Sequence, residues 1–392
     1  MRHVSRTVQL TLLLLSVTLF SCSSEGADPY SPPTNQNPPQ SNNPPNNPSP
    51  GTPSGGETPE SEDLFSEFDE EITNFMRQHG IRGAQVAIVR FEKLVYYRSF
   101  GLADEDAAEP VGPNSRFRIA SVSKPVTVLA ISKLVADGKL SMNDKVFGDG
   151  GILGTQYGTP PYGAAIERIS VNHLVEHTSG FTNDPYDIMF DAIELSHEDL
   201  INRVLDERDY SGSPGSTYYY SNFGYSLLGR IIEEVSGMTY EDYVQEKVLE
   251  PMGITQMVIG GDTEAERLPN EVKYYSTWFD PYALPVNRMD SHGGWIASAK
   301  DLARFAAGTD TRSFVPDLLE FGDGQSYLLN GSYGHFGALA GTQSIISVNT
   351  TNSFAVVFNS GNANFDAVLR AMNQLVHDEI NARTTWPQED LF

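Results

Sequence analysis

The sequence predicts an α+β fold: an antiparallel sheet flanked by helices, joined to a mostly helical lobe. Three observations carry this reading. Residues 85–91 and 94–100 are runs rich in Val, Ile, Tyr and Phe around a tight polar turn, which is a hairpin pattern. Residues 344–348 and 354–358 repeat that pattern around Asn349-Thr350-Thr351-Asn352 near the other end of the chain. Between them, from about 119 to 290, helical periodicity and loops dominate. Strands at both ends with helices in the middle imply one domain closed by the two chain ends.

The elements follow in order. Arg2 and Arg6 precede an apolar run over 8–20, and Ser21-Cys22 follows. Such a run is too short for a membrane span and reads as an export signal over 1–22. Leu19-Phe20-Ser21-Cys22 resembles a bacterial lipoprotein cleavage box, which implies lipidation of Cys22, the only cysteine. Residues 23–61 hold eleven of the 24 prolines among Asn, Ser, Gly and Thr. That composition cannot bury enough apolar surface to fold. It predicts a tether with a reach on the order of 100 Å. The expected arrangement is an exported domain, periplasmic or at the cell surface, held to a bacterial membrane by a lipid.

The folded domain is expected over 62–386, with its helical lobe at about 119–290. An amphipathic helix is predicted over 62–79, where Leu64, Phe65, Phe68, Ile72 and Phe75 recur at helical spacing. A helix from Ser121 to about Ala136 places Pro125 in its first turn and stops at Gly138. Another follows Asn222, carries Leu227, Leu228, Ile231, Ile232 and Val235 on one stripe, and stops at Gly237. Thr239 and Asp242 form a capping-box pattern before a helix that Pro251 should end. A last helix is expected over 364–380.

The formal net charge is −25, almost all of it beyond residue 60. Phosphate recognition needs clustered Lys and Arg, so a nucleic-acid partner is excluded.

Chemistry concentrates in three short motifs. In Ser121-Val122-Ser123-Lys124 the serine and lysine share one helix face. The serine sits over a first turn whose free N–H groups and dipole favour developing negative charge. The lysine can take the serine's proton if burial lowers its pKa. Tyr220-Ser221-Asn222 follows about a hundred residues later, and His335-Phe336-Gly337 about a hundred after that. Supporting stretches are Leu174-Val175-Glu176-His177-Thr178-Ser179-Gly180-Phe181, Pro214-Gly215 and Gly293-Gly294-Trp295-Ile296-Ala297-Ser298. With these motifs in this order, the chain resembles the serine β-lactamase and penicillin-binding-protein superfamily from about 83 to 375. The likeness is to class C β-lactamases, D,D-peptidases, D-aminopeptidases and esterases.

The resemblance implies a β-lactamase/transpeptidase-like fold and an acyl-enzyme on Ser121. Lys124 and Tyr220 would move protons, with Lys124 supplying the charge that favours a Tyr220 phenolate. Which of the two is the base in each step stays open. Asn222 would bond the substrate amide and Lys124. The backbone N–H groups of Ser121 and Ala338 would hold the oxyanion. Gly337 would let substrate lie against a strand. His335 stands where many relatives carry lysine, and histidine at neutral pH lacks lysine's fixed charge for a substrate carboxylate. No metal or organic cofactor is required, and the partner is a small-molecule or peptide acyl substrate.

Two alternatives differ in kind. A penicillin-binding sensor would acylate with little turnover. A zinc peptidase would use His173 and His177 of His173-Leu174-Val175-Glu176-His177, provided the two imidazoles share a helix face.

Overall fold

The computed structural model describes residues 64–184, 186–208, 210, 212–310, 332–361 and 363–392. The expected signal, Cys22 and the tether lie outside the described residues. In chain order the elements are α1 (Ser66–His79), β1 (Gly83–Arg90), β2 (Lys93–Asp104), β3 (Glu109–Pro110), β4 (Phe117–Arg118) and α2 (Ser123–Ala136). Then come α3 (Val171–Val175), α4 (Ile188–Asp191), α5 (His197–Glu207), α6 (Asn222–Ser236), α7 (Tyr240–Val244), β5 (Val258–Ile259) and β6 (Tyr275–Ser276). The chain closes with β7 (Trp295–Ala297), α8 (Ala299–Ala307), β8 (Ser332–Leu339), β9 (Thr342–Asn349), β10 (Asn352–Phe358), β11 (Ser360–Gly361) and α9 (Phe365–Ala382).

A six-stranded sheet in the order β3-β2-β1-β10-β9-β8 joins the two hairpins. β1 pairs antiparallel with β10, Ala84 facing Phe358 and Arg90 facing Asn352, so the two ends of the domain share one ladder. Alternation along β1 separates two cores. Ala84, Val86 and Ile88 face α1 and α9, while Ala87 and Val89 face α8 and the helical lobe. This is the α+β architecture expected from the sequence.

The lobe is organised around α2. Its residues are buried from Ser123 to Ser132 without interruption, so it has no solvent face. Its small polar residues Ser123, Thr127 and Ser132 are enclosed by neighbouring elements along with the apolar ones. α6 ends as expected at Gly237, whose φ of 71° suits a residue without a Cβ. Thr239 caps α7 by accepting from the Asp242 N–H at 3.1 Å. Pro251 does not stop that helix. Instead α7 gives way at Gln245 to a π-turn, and Pro251 sits early in a 3-10 turn, where it forfeits no backbone bond.

Candidate active site

Strand β4 delivers the chain to the site, and Ala120 makes the turn. Its φ of 48° is a strained left-handed conformation for a residue with a side chain. A 3-10 turn over Ala120–Val122 follows and runs straight into α2. Ser121 therefore stands in a first turn, where backbone N–H groups have no intrahelical acceptor. The turn is pinned from behind. Ser344 Oγ donates to the Ile119 carbonyl at 2.6 Å, and Thr342 Oγ1 donates to the Arg118 carbonyl at 2.6 Å.

Gly337 belongs to this pinning. A Cβ there would overlap the Ile119 carbonyl oxygen and Ser344 Oγ. Glycine lets β8 pack onto the nucleophile turn.

Lys124 lies one turn beyond Ser121 and is 1% exposed. Its Nζ is 3.1 Å from Ser121 Oγ and donates to the His292 carbonyl at 2.7 Å. Burial lowers the Lys124 amine to about 7, partly opposed by the Asp187 carboxylate. The Tyr220 hydroxyl donates to Ser121 Oγ at 2.9 Å. Lys124, three residues on, and Tyr220, 99 residues on, thus meet around one oxygen. Burial pushes the Tyr220 phenol above its ordinary range, and the bond to Ser121 only partly offsets this. Burial thus favours the protonated phenol over the phenolate.

Asn222 also departs from expectation. Its Nδ2 donates to Asp187 Oδ2 at 2.7 Å, and its Oδ1 is buried without a partner. It is anchored on Asp187, while Lys124 spends its donors on Ser121 and His292. Ser221 caps α6, accepting from the Gly224 N–H at 3.1 Å.

His177 clamps Tyr220 from both sides. Its carbonyl accepts from Tyr219 N–H at 2.7 Å and its Nδ1 accepts from Ser221 N–H at 3.0 Å. Its ring lies between Tyr220 and Tyr225, and burial keeps it neutral, as an accepting Nδ1 requires. This overturns the zinc alternative. α3 ends at Val175, His177 has φ 56°, and His173 Nδ1 caps the turn by accepting from Ser170 N–H. The two imidazoles do not share a helix face.

On β8, the two-residue turn Ala340-Gly341 makes Leu339 and Thr342 the closing pair. Pairs alternate in an antiparallel ladder, so Ala338 directs its N–H off the free edge of the sheet. Ala338 lines the same cleft as Ser121, the arrangement an oxyanion site needs. His335 is 6% exposed, its ring 6.5 Å from that of Tyr220. Burial, and secondarily Lys124, lower it to about 3.

Ser121, Asp187, Tyr220, Asn222 and Ala338 border a solvent-open cleft. Its walls are largely apolar and include Tyr186, Phe190, Trp278, Phe279, Leu284 and Phe336. Asp187 and His292 escaped the sequence reading. Asp187 carries no motif and acts on Asn222 35 positions away. His292 adjoins the Gly293-Gly294-Trp295 stretch, but its contribution to Lys124 is a backbone carbonyl, which any residue could supply. That carbonyl is fixed by a buried pair, Arg230 Nη2 to Asp290 Oδ2 at 2.5 Å, at the start of the π-turn Asp290–Gly294.

Comparison with known proteins agrees with this geometry. A model of the family described as Beta-lactamase matches residues 68–379. Penicillin-binding protein 4* of Bacillus subtilis (strain 168) is 35% identical over 202 residues, 49% of this chain and 42% of that protein. The chain thus spans less than half the length of that relative. Among solved structures, the octameric penicillin-binding protein homologue from Pyrococcus abyssi superposes with a TM-score of 0.63 at 25% identity, covering 80% of this chain and 77% of that one. D-amino acid amidase from Ochrobactrum anthropi SV3 gives a TM-score of 0.65 at 19% identity over 82% and 100% of the respective chains, a likeness of fold.

Proposed function

The chain belongs to the β-lactamase family of serine hydrolases, and from that premise we propose that it hydrolyses amide or ester bonds through an acyl-enzyme on Ser121. The observation that carries this reading is the double engagement of Ser121 Oγ, 3.1 Å from Lys124 Nζ and 2.9 Å from the Tyr220 hydroxyl, at the floor of a cleft. An amine lowered to about 7 is substantially neutral at working pH. It is therefore the base for Ser121, while the protonated Tyr220 is the acid.

In acylation, Oγ bonds to the substrate carbonyl carbon as its proton passes to Lys124. The Ser121 and Ala338 N–H groups receive the oxyanion. The intermediate collapses, the bond to the leaving group breaks, and Tyr220 protonates that group. Lys124 then returns its proton to Tyr220. In deacylation, water attacks the ester and its proton reaches Lys124 by way of the Tyr220 oxygen. The Ser121–carbonyl bond breaks, Oγ takes the proton from Lys124, and the carboxylic acid product leaves. Asn222 Oδ1 accepts an N–H from the substrate. On the same reading, residues 1–61 export the domain and tether it to a membrane through a lipid on Cys22.

Intact mass after mixing with an activated ester or a β-lactam tests the proposal. The expected result is a transient adduct that is absent from Ser121→Ala, with that variant folded as the parent. An adduct of equal yield on the variant removes Ser121 from the mechanism. A persistent adduct on the parent identifies a binder or sensor instead.

A further inference from the structure

Resting on the serine reading above, we propose that the cleft selects acyl donors that are uncharged and largely apolar, with an N–H or O–H donor beside the carbonyl, and rejects substrates carrying a free carboxylate.

The wall supplies the first reason. Phe190, Trp278, Phe279, Leu284, Phe336 and Phe365 face the cleft, and no Lys or Arg is among its described lining residues. The charged residues that do line it are acids: Asp187, committed to Asn222, and Asp366 at the start of α9. The arginine beside Tyr186 is occupied, since Arg208 donates to the Thr182 carbonyl at 3.2 Å and the Tyr186 carbonyl at 2.6 Å. A carboxylate entering this space would shed water and meet no Lys or Arg on the described cleft wall, the nearby Arg370 being paired with Asp366.

The polar groups around Ser121 supply the second. His335 Nδ1 is 2.8 Å from the Phe336 carbonyl oxygen. A carbonyl only accepts, so Nδ1 carries the proton and Nε2 is left as an acceptor. At the position where the family resemblance would place a lysine, this chain has a neutral ring with a lone pair. Asn222 gives one N–H of its Nδ2 to Asp187, and its Oδ1 is an acceptor without a partner in the protein. Lys124 does not compensate, being enclosed and bonded to Ser121 and His292. Beyond the oxyanion N–H groups and the Tyr220 hydroxyl, which is engaged with Ser121, the Asn222 oxygen and the His335 ring offer acceptors.

The test uses three 4-nitrophenyl esters of one shape: 3-phenylpropanoate, 3-(4-carboxyphenyl)propanoate, and the methyl ester of the latter. Rates are measured with the full chain at about 0.5 M salt, where long-range repulsion by a chain of net charge −25 is screened. The carboxylate is expected to show a kcat/KM at least about a hundredfold below its methyl ester, the order of discrimination that an unmatched polar group imposes. Trp278, 42% exposed on the wall, offers a place for a cation, and Trp278→Lys should narrow that gap about tenfold. Equal rates for the carboxylate and its methyl ester, with acylation of Ser121 by both, overturn the substrate inference and leave the serine reading intact. Failure of every ester to acylate Ser121 removes the serine reading, and this inference with it.

Discussion

The amine nitrogen of Lys124 lies 2.7 Å from the backbone carbonyl oxygen of His292, 168 positions further along the chain. That contact makes an enclosed lysine tolerable, since a buried N–H donor without an acceptor is costly. The same enclosure lowers the amine to about 7 and makes it a base. Four predictions follow from the groups arranged around this pair.

The acylation rate should rise with pH through about 7 and level off above it, because only the neutral amine accepts the Ser121 proton. Stopped-flow release of 4-nitrophenol measures it, and a rate flat from pH 5.5 to 8.5 would exclude Lys124 as the base. Stability gives an independent readout. The folded amine holds its proton less tightly than the unfolded one, so between about 7 and the ordinary lysine range the unfolded state binds more protons. Unfolding free energy must then rise with pH in that window, relative to Lys124→Met. Urea titrations at pH 7 and 9.5 compare the two.

Asp187→Asn should move the pH–rate rise to lower pH. The Asp187 carboxylate favours the charged Lys124, so removing it makes the amine easier to deprotonate. KM should also increase, because Asn222 loses an anionic acceptor and its Oδ1 is no longer held in place. A shift to higher pH would contradict the assignment.

Tyr220→Phe should slow acylation by about 10²- to 10⁴-fold, the usual range for loss of a positioned acid. The unfolding midpoint should move little, because the aromatic contacts with His177 remain. A full rate with a good leaving group and a collapsed rate with an amide would also fit an acid role; undiminished rates with both would not.

Gly337→Ala should destabilise the fold by about 1–3 kcal/mol, as overpacking does. It should also lower activity, since the displaced neighbours are Ile119 and Ala120, directly before Ser121. Thermal unfolding and acylation rate check the two effects. A fully active, fully stable variant would show that β8 can withdraw without disturbing the turn.

Both hairpins were legible because β-branched and aromatic runs around polar turns are local signals, and the observed strands differ only by a few terminal residues. The elements of the Ser121–Lys124 pair were legible for the same reason: three positions on a helix is a fixed geometry. His177 was visible only as part of a quoted stretch. Its work on Tyr220 depends on a left-handed backbone and a buried ring, neither of which leaves a pattern in sequence.

By itself the sequence determined the α+β class, the order of the elements and the residue types brought to Ser121, because propensity, periodicity and motif spacing act over a few residues. Tertiary structure alone decided what those groups are chemically. The amine is lowered, the phenol kept protonated and Asn222 turned onto Asp187 by burial and by residues distant in the chain, while the His335 ring is oriented by the carbonyl of its neighbour Phe336. Protonation and orientation depend on burial and on which partner is within about 3 Å, and only the folded chain sets those.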